Sequence, residues 1–106
     1  MEKSILLTGV SGGIGFAVAK AFINKGYRVF GLDIKEPSEL VEGLSFIKTD
    51  ITKMGEIESA FNLVKESGCT LKCIISTAGI YDLNSLIEMN EEEFIRIFCM
   101  VNLQAA

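Results

Sequence analysis

Histidine and tryptophan are absent from the 106 residues. Without histidine, the chain by itself offers no imidazole-ligated metal site, no histidine-based nucleophilic triad and no histidine acid–base catalysis, and no metal site is expected. Proline occurs once, at Pro37. The three cysteines, Cys69, Cys73 and Cys99, are odd in number and fit no zinc spacing. Reduced thiols of an intracellular protein are the simplest reading. Cys73 lies in an apolar run and Cys99 in a helical pattern, where each behaves as a small core hydrophobe. Basic runs are also lacking, and 14 acidic against 10 basic residues give a net charge of −4. Nucleic acid is therefore not an expected partner. Residues 5–19 are apolar or small, but four glycines interrupt them and Lys20 ends them, too early for a membrane span. Glu2 cancels Lys3, so the charged leader of a secretory signal is missing as well. A cytoplasmic protein without membrane contact is expected.

What remains is globular in composition: 49% hydrophobic and 23% charged residues in a chain of 11.6 kDa, one domain's worth. Two periodicities alternate. Ser4 to Thr8 is a short apolar run ending at Gly9, the pattern of a buried strand. Ile14, Ala17, Val18, Ala21 and Phe22 then recur at helical spacing, with Gly26 where a helix terminates. Arg28 to Asp33 reads as a second buried strand, and Leu44 to Thr49 as an edge strand. Residues 34–43 between them hold one helical turn or a loop. Ile57, Ala60, Phe61 and Val64 form the stripe of a second helix closed by Gly68, and Leu71 to Thr77 is a fourth strand. Asn90 with Glu93 resembles a capping box, and Met89 with Phe94 a hydrophobic staple. Phe94, Ile97, Phe98, Val101 and Ala105 define a third helix. That helix carries no stop signal before Ala106, so the chain is expected to be part of a longer one. Helical segments separating buried strands imply βαβ units, hence a parallel sheet with right-handed crossovers.

The strongest chemical signal is TGVSGGIG, Thr8 to Gly15, set between a strand and a helix. Gly9 permits the tight turn. The following glycines let backbone N–H groups approach a pyrophosphate, and the helix beginning at Ile14 adds oriented amides and a positive dipole end. The phosphate-binding set is Gly9, Ser11, Gly12, Gly13, Ile14 and Gly15. Asp33 ends the second strand 18 residues beyond Gly15, where a carboxylate accepts hydrogen bonds from an adenosine ribose diol and repels a 2′-phosphate. NAD is thus favoured over NADP, although Lys35 lies close enough to weaken the exclusion; Ile34 stands between them.

These residues, with Asp50-Ile51 after the third strand, STAGI (Ser76 to Ile80) after the fourth and Val101-Asn102 near the end, resemble the short-chain dehydrogenase/reductase family, in the family's order. Gly9, Gly13 and Gly15 fit its compact single-domain branch; Gly9, Gly12 and Gly15 fit the extended, epimerase-like branch. STAGI and Asn102 favour the compact one. The resemblance implies a Rossmann-like, doubly wound α/β fold, here partial, with about four parallel strands in the order 3-2-1-4 and three main helices. It also implies that Asp50 and Ile51 contact the adenine, that Ala78 and Gly79 line the ribose region of the cofactor, with Ile34, Thr77 and Ile80 also in the cofactor-binding set, and that Asn102 holds a water in a proton relay. The chain departs from the family at Ser76-Thr77, where Asn-Asn is usual, so a side-chain brace across the sheet is in question.

The family's catalytic Tyr with Lys four residues later is not found: Gly31 follows Tyr27 at that distance, and Ser85 follows Tyr81. The catalytic Ser is missing too. In the complete mechanism that Lys and the oxidised nicotinamide lower the Tyr pKa, and Tyr exchanges a proton with the substrate oxygen as hydride moves. The expectation is therefore the cofactor-binding N-terminal part of an NAD(P)-dependent oxidoreductase, inactive alone, whose parent takes a small-molecule alcohol or carbonyl substrate. A non-catalytic NAD-binding module and the epimerase-like branch are the alternatives. An unpaired edge at the strand of residues 71–77, bearing Ile74 and Ile75, is expected to drive association into a homo-oligomer. Tyr81 to Leu86 does not discriminate among alcohols, sugars, steroids or acyl carriers as substrate.

Overall fold

A computed structural model describes residues 2–76 and 79–82, the last four as backbone. Strand β1 (Lys3–Thr8) leads through the glycine-rich turn into helix α1 (Gly13–Asn24). β2 (Arg28–Asp33), β3 (Leu44–Lys48), α2 (Met54–Glu66), β4 (Thr70–Ser76) and β5 (Gly79–Asp82) follow. The sheet order is β3-β2-β1-β4-β5. The first four strands are parallel, with Leu6 opposite Phe30 on one side and Ile74 on the other. This is the Rossmann-like α/β sheet in the order 3-2-1-4. Residues 34–43 form a loop.

Burial explains why β1 is central. Residues 4–8 are all buried, so this strand is covered on both faces, as parallel strands in α/β sheets are. Its side chains alternate between two cores. Leu6 joins Phe30, Leu32 and Ile74 under Ile57, Ala60, Phe61 and Val64 of α2. Ile5 and Leu7 join Val10 and Val29 under Ala19 of α1, with Val18, Phe22, Ile23 and a half-buried Cys73 packed around them. The α2 stripe is the one its spacing predicts. The α1 stripe is so only at Val18 and Phe22. Ile14 is 86% exposed, Ala17 and Ala21 are exposed, and the inward face runs through Gly15, Val18, Ala19, Phe22 and Ile23. The small Gly15 and Ala19 on that face let the helix lie close to the end of β1, which turns the larger Ile14 outward.

Two further expectations need correction or fall outside the described residues. The outer edge of β4 is paired: β5 runs antiparallel along it, with Cys73 opposite Asp82, Ile75 opposite Ile80 and Ser76 opposite Gly79. Pairing fills the N–H and C=O groups that a bare edge would expose. Two helices lie among the described residues; the third expected helix falls outside them, with Thr77, Ala78, Cys99 and Asn102. No helix of the described residues is long and apolar enough to cross a membrane.

Candidate functional site

Two hollows open side by side at the carboxyl ends of the strands, and they meet at Gly9. The larger, about 480 Å³, lies between β1, β4 and the start of α1. Gly9, Gly12, Gly13, Ile14 and Gly15 form one wall; Leu7, Thr8, Val18, Ile75 and Ser76 form the rest. The smaller, about 210 Å³, lies across the ends of β2 and β3 and is lined by Gly9, Leu32, Asp33, Ile34, Thr49, Asp50, Ile51 and Thr52. In an open parallel sheet the crevice for a ligand forms where the strand order reverses, here between β1 and β4, where the larger hollow lies.

Gly9 makes the shared wall possible. Its φ of +74° is in the left-handed region, where a side chain is strained. Its N–H donates to Leu32 O at 2.9 Å, which ties the turn to β2. Its carbonyl accepts from Gly12 N–H at 3.2 Å, which closes the loop just before α1. Gly12 is the N-cap of α1, with no side-chain capping bond and no acidic residue in the first turn. The orphan amides of that turn are therefore left to a ligand or to water. A methyl group on Gly13 would meet nothing within 4 Å. The wall facing the larger hollow thus consists of backbone, with room beside it and the positive end of a helix dipole behind it. On the floor, the Thr8 hydroxyl is buried and finds no partner among the described residues.

On the other side of Gly9, Asp33 ends β2 with its carboxylate already engaged. Oδ1 accepts from Ile34 N–H at 2.8 Å and from Lys35 N–H at 3.4 Å. Oδ2 accepts from Ser11 N–H at 3.1 Å, and the Ser11 hydroxyl donates to the Lys35 carbonyl. Ser11 therefore joins the two hollows by hydrogen bonds. Ile34 is 63% exposed, like Ile14 an apolar side chain left at the rim of its hollow.

Asp50 shapes the far wall. Its Oδ1 accepts from the Thr52 hydroxyl at 2.6 Å and from Thr52 N–H at 3.0 Å, and its own N–H donates to Glu56 Oε1 at 2.8 Å. The Thr52 hydroxyl, then the Thr52 amide, hold the Asp50 carboxyl below the ordinary aspartate range against a desolvation cost, with the Lys53 charge the weakest of the influences. A depressed carboxylate pKa adds stability that is present above the unfolded value and is lost as pH falls through the folded one. The stability difference between wild type and Asp50→Asn is accordingly expected to be full at neutral pH, to begin shrinking below about pH 4, and to vanish only once the pH has passed below the lower folded midpoint. Thr52→Val should move the Asp50 midpoint, followed by carboxyl NMR titration, back up toward that value. A midpoint indifferent to this substitution would show that the turn does not hold the charge.

The sequence-predicted residues thus fall into place unevenly. Gly9, Gly12, Gly13, Ile14 and Gly15 share one hollow, and Asp33, Ile34, Asp50 and Ile51 share the other. Ser11 bridges them, while Gly79 and Ile80 lie in β5 along the β4 edge. Thr8, Thr49 and Thr52 also line the hollows, and sequence reasoning passed over them as wall residues. The Asp-x-Thr spacing just before a helix was the available signal for Thr52.

A profile described as short chain dehydrogenase matches residues 3–106. The chain belongs to the short-chain dehydrogenase family. An uncharacterized oxidoreductase of Schizosaccharomyces pombe is 31% identical over 92 residues, which are 87% of this chain and 36% of that protein. A short-chain dehydrogenase of Leptospira borgpetersenii, solved with bound NAD+, superposes with a TM-score of 0.67 at 29% identity over 98% of this chain and 41% of its own. ElxO, solved with NADP bound, gives a TM-score of 0.65 at 28% identity, covering 94% of this chain and 48% of its own. The chain therefore spans less than half the length of these family members.

Proposed function

We propose that this chain forms the coenzyme-binding part of an NAD(P)-dependent oxidoreductase, one that moves hydride between a nicotinamide and a carbonyl or alcohol, and that it takes NAD in preference to NADP. The observation that carries this reading is the pair of hollows meeting at Gly9. One has a backbone wall at an uncapped helix start, suited to a diphosphate. The other has a strand-end carboxylate, suited to a ribose diol. Family relatives solved with NAD+ and with NADP support a nicotinamide coenzyme.

In this reading Gly12, Gly13, Ile14 and Gly15 receive the diphosphate, and Ser11 belongs to the same loop. Asp33 accepts from the adenosine ribose, and Ile34, Asp50 and Ile51 enclose the adenine. Thr77, Ala78, Gly79 and Ile80 contribute backbone along the nicotinamide-side ribose, and Asn102 holds a relay water. The bound nicotinamide supplies or accepts the hydride; the protein residues named here bind and orient it. NAD is favoured because Asp33 repels a 2′-phosphate and can only accept hydrogen bonds, which a phosphate oxygen at neutral pH does not reliably donate.

Calorimetric titration tests this. NAD+ is expected to bind at least about 10-fold more tightly than NADP+, since a hydrogen bond to a charged group is worth about 1.5–3 kcal/mol. Asp33→Ala should cost NAD+ about 10-fold or more and narrow the gap. Equal affinity for the two coenzymes would overturn the NAD preference, and heat from neither would overturn the site.

A further inference from the structure

The Ser11 contacts reach beyond a phosphate loop. Ser11 holds the Asp33 carboxylate through its N–H and the Lys35 backbone through its hydroxyl, across 22 and 24 residues of sequence. We infer that Ser11 is a positioning residue for coenzyme choice, acting through the Asp33–Lys35 turn rather than by contact with the phosphates.

A carboxylate offers about four acceptor positions. Three are taken, two on Oδ1 and one on Oδ2, all by backbone N–H groups. The free rotation of a terminal carboxylate is broad unless both oxygens are held. Here both are held, from opposite sides: Ile34 and Lys35 are the residues that follow Asp33, whereas Ser11 comes from the glycine loop. One acceptor position, on Oδ2, remains for a ribose hydroxyl. The Ser11 hydroxyl fixes the second half of the device. By accepting the hydrogen bond that this hydroxyl donates, the Lys35 carbonyl keeps the backbone of residues 33–35 against the loop. Lys35 is exposed, and its ammonium is the nearest cation in sequence to Asp33 that could neutralise a 2′-phosphate. Releasing that backbone lets the carboxylate turn and the ammonium approach, so the penalty against NADP falls. The selectivity assigned to Asp33 is thus a property of a three-residue turn clamped by Ser11.

This inference rests on the dinucleotide reading, and the test separates the two. Ser11→Ala removes the hydroxyl bond and keeps the N–H bond; Ser11→Thr restores a hydroxyl. Both are titrated with NAD+ and NADP+ at one salt concentration, and their melting is followed without coenzyme. Ser11→Ala is expected to weaken NAD+ about 3- to 10-fold while NADP+ holds or gains, so the selectivity ratio falls at least about 3-fold. Ser11→Thr should return the ratio to within about 2-fold of wild type. If Ser11→Ala weakens both coenzymes equally, the hydroxyl is a general phosphate contact and the inference fails while the site stands. If the wild-type chain takes up neither coenzyme, the dinucleotide reading fails and this one with it.

Discussion

Gly15→Ala is expected to cost more than about 3 kcal/mol of stability and to remove coenzyme binding, whereas the same change at Gly13 should leave the fold intact. A Cβ on Gly15 would stand 2.0 Å from Gly9 O, 2.8 Å from Gly9 C and 3.2 Å from Val10 Cα. All three atoms are backbone, so no rotamer relieves the contact. Alanine gains about 1 kcal/mol over glycine inside a helix. Overpacking against movable side chains already costs about 1–3 kcal/mol, and here the start of α1 must lift away from the turn that Gly9 makes. The clash therefore wins. At Gly13 the methyl meets nothing, so alanine keeps the helix gain and stability should hold or rise slightly. Yet Gly13 lines the larger hollow, and a methyl there occupies space the diphosphate would need, so affinity should still drop about 10-fold. At Gly12 the added carbon would sit 3.5 Å from Gly9 O, an ordinary contact. The protein's own packing thus demands glycine at position 15 and leaves positions 12 and 13 to the ligand. Thermal melting and calorimetry on the three variants separate these roles. A Gly13→Ala chain that binds NAD+ like wild type would move the diphosphate out of this hollow.

What the sequence makes legible is whatever is local. The second strand has the bounds that its apolar run suggests, the first and fourth differ by a residue or so, and the α2 stripe of Ile57, Ala60, Phe61 and Val64 is buried as spaced. The glycine loop and Asp33 lie at the strand ends where the motif puts them. Contacts across the fold are a different matter. The inward face of α1 is set by how near Gly15 and Ala19 let it come to β1, which no count of apolar residues along the helix reports. The antiparallel β5 is four residues long and depends on which segment reaches the β4 edge, so its periodicity is silent. The Ser11 clamp joins residues 22 and 24 positions apart, and serine carries no pattern that marks it. The resemblance makes Asp50 an adenine contact; its Oδ1 also accepts from Thr52, a use that the Asp-x-Thr spacing signals but the family resemblance does not.

Gly31 is the other residue whose purpose appears only in three dimensions, and it sets the second large effect. It lies in the middle of β2, between Leu7 of β1 and Phe46 of β3. Glycine there weakens a strand unless something needs the space. The occupant is Val10, fully buried in the glycine-rich turn: a Cβ at position 31 would come within 2.8 Å of both Val10 methyls and 2.9 Å of Val10 Cβ. Because Cβ itself is among the close atoms, turning the valine does not clear the clash. Replacing glycine by alanine in an unstrained position gains about 0.4–1 kcal/mol through the unfolded chain, less than the 1–3 kcal/mol or so that overpacking costs. Gly31→Ala is therefore expected to lose about 2 kcal/mol, roughly 8–16 °C of melting temperature for a domain of this size. It should also weaken NAD+, since Val10 is pushed together with the loop that carries Gly9 and Ser11. Val10→Ala alone should cost a comparable amount by leaving a cavity in the α1-side core. In the double variant the new methyl at 31 enters the space vacated at 10, so the two losses should fall short of their sum by about 1 kcal/mol or more. Denaturant melts of the four proteins measure that coupling directly. Strict additivity would mean that Gly31 and Val10 do not share the space, and that the turn is seated on β2 by its hydrogen bonds to Leu32 and Asp33.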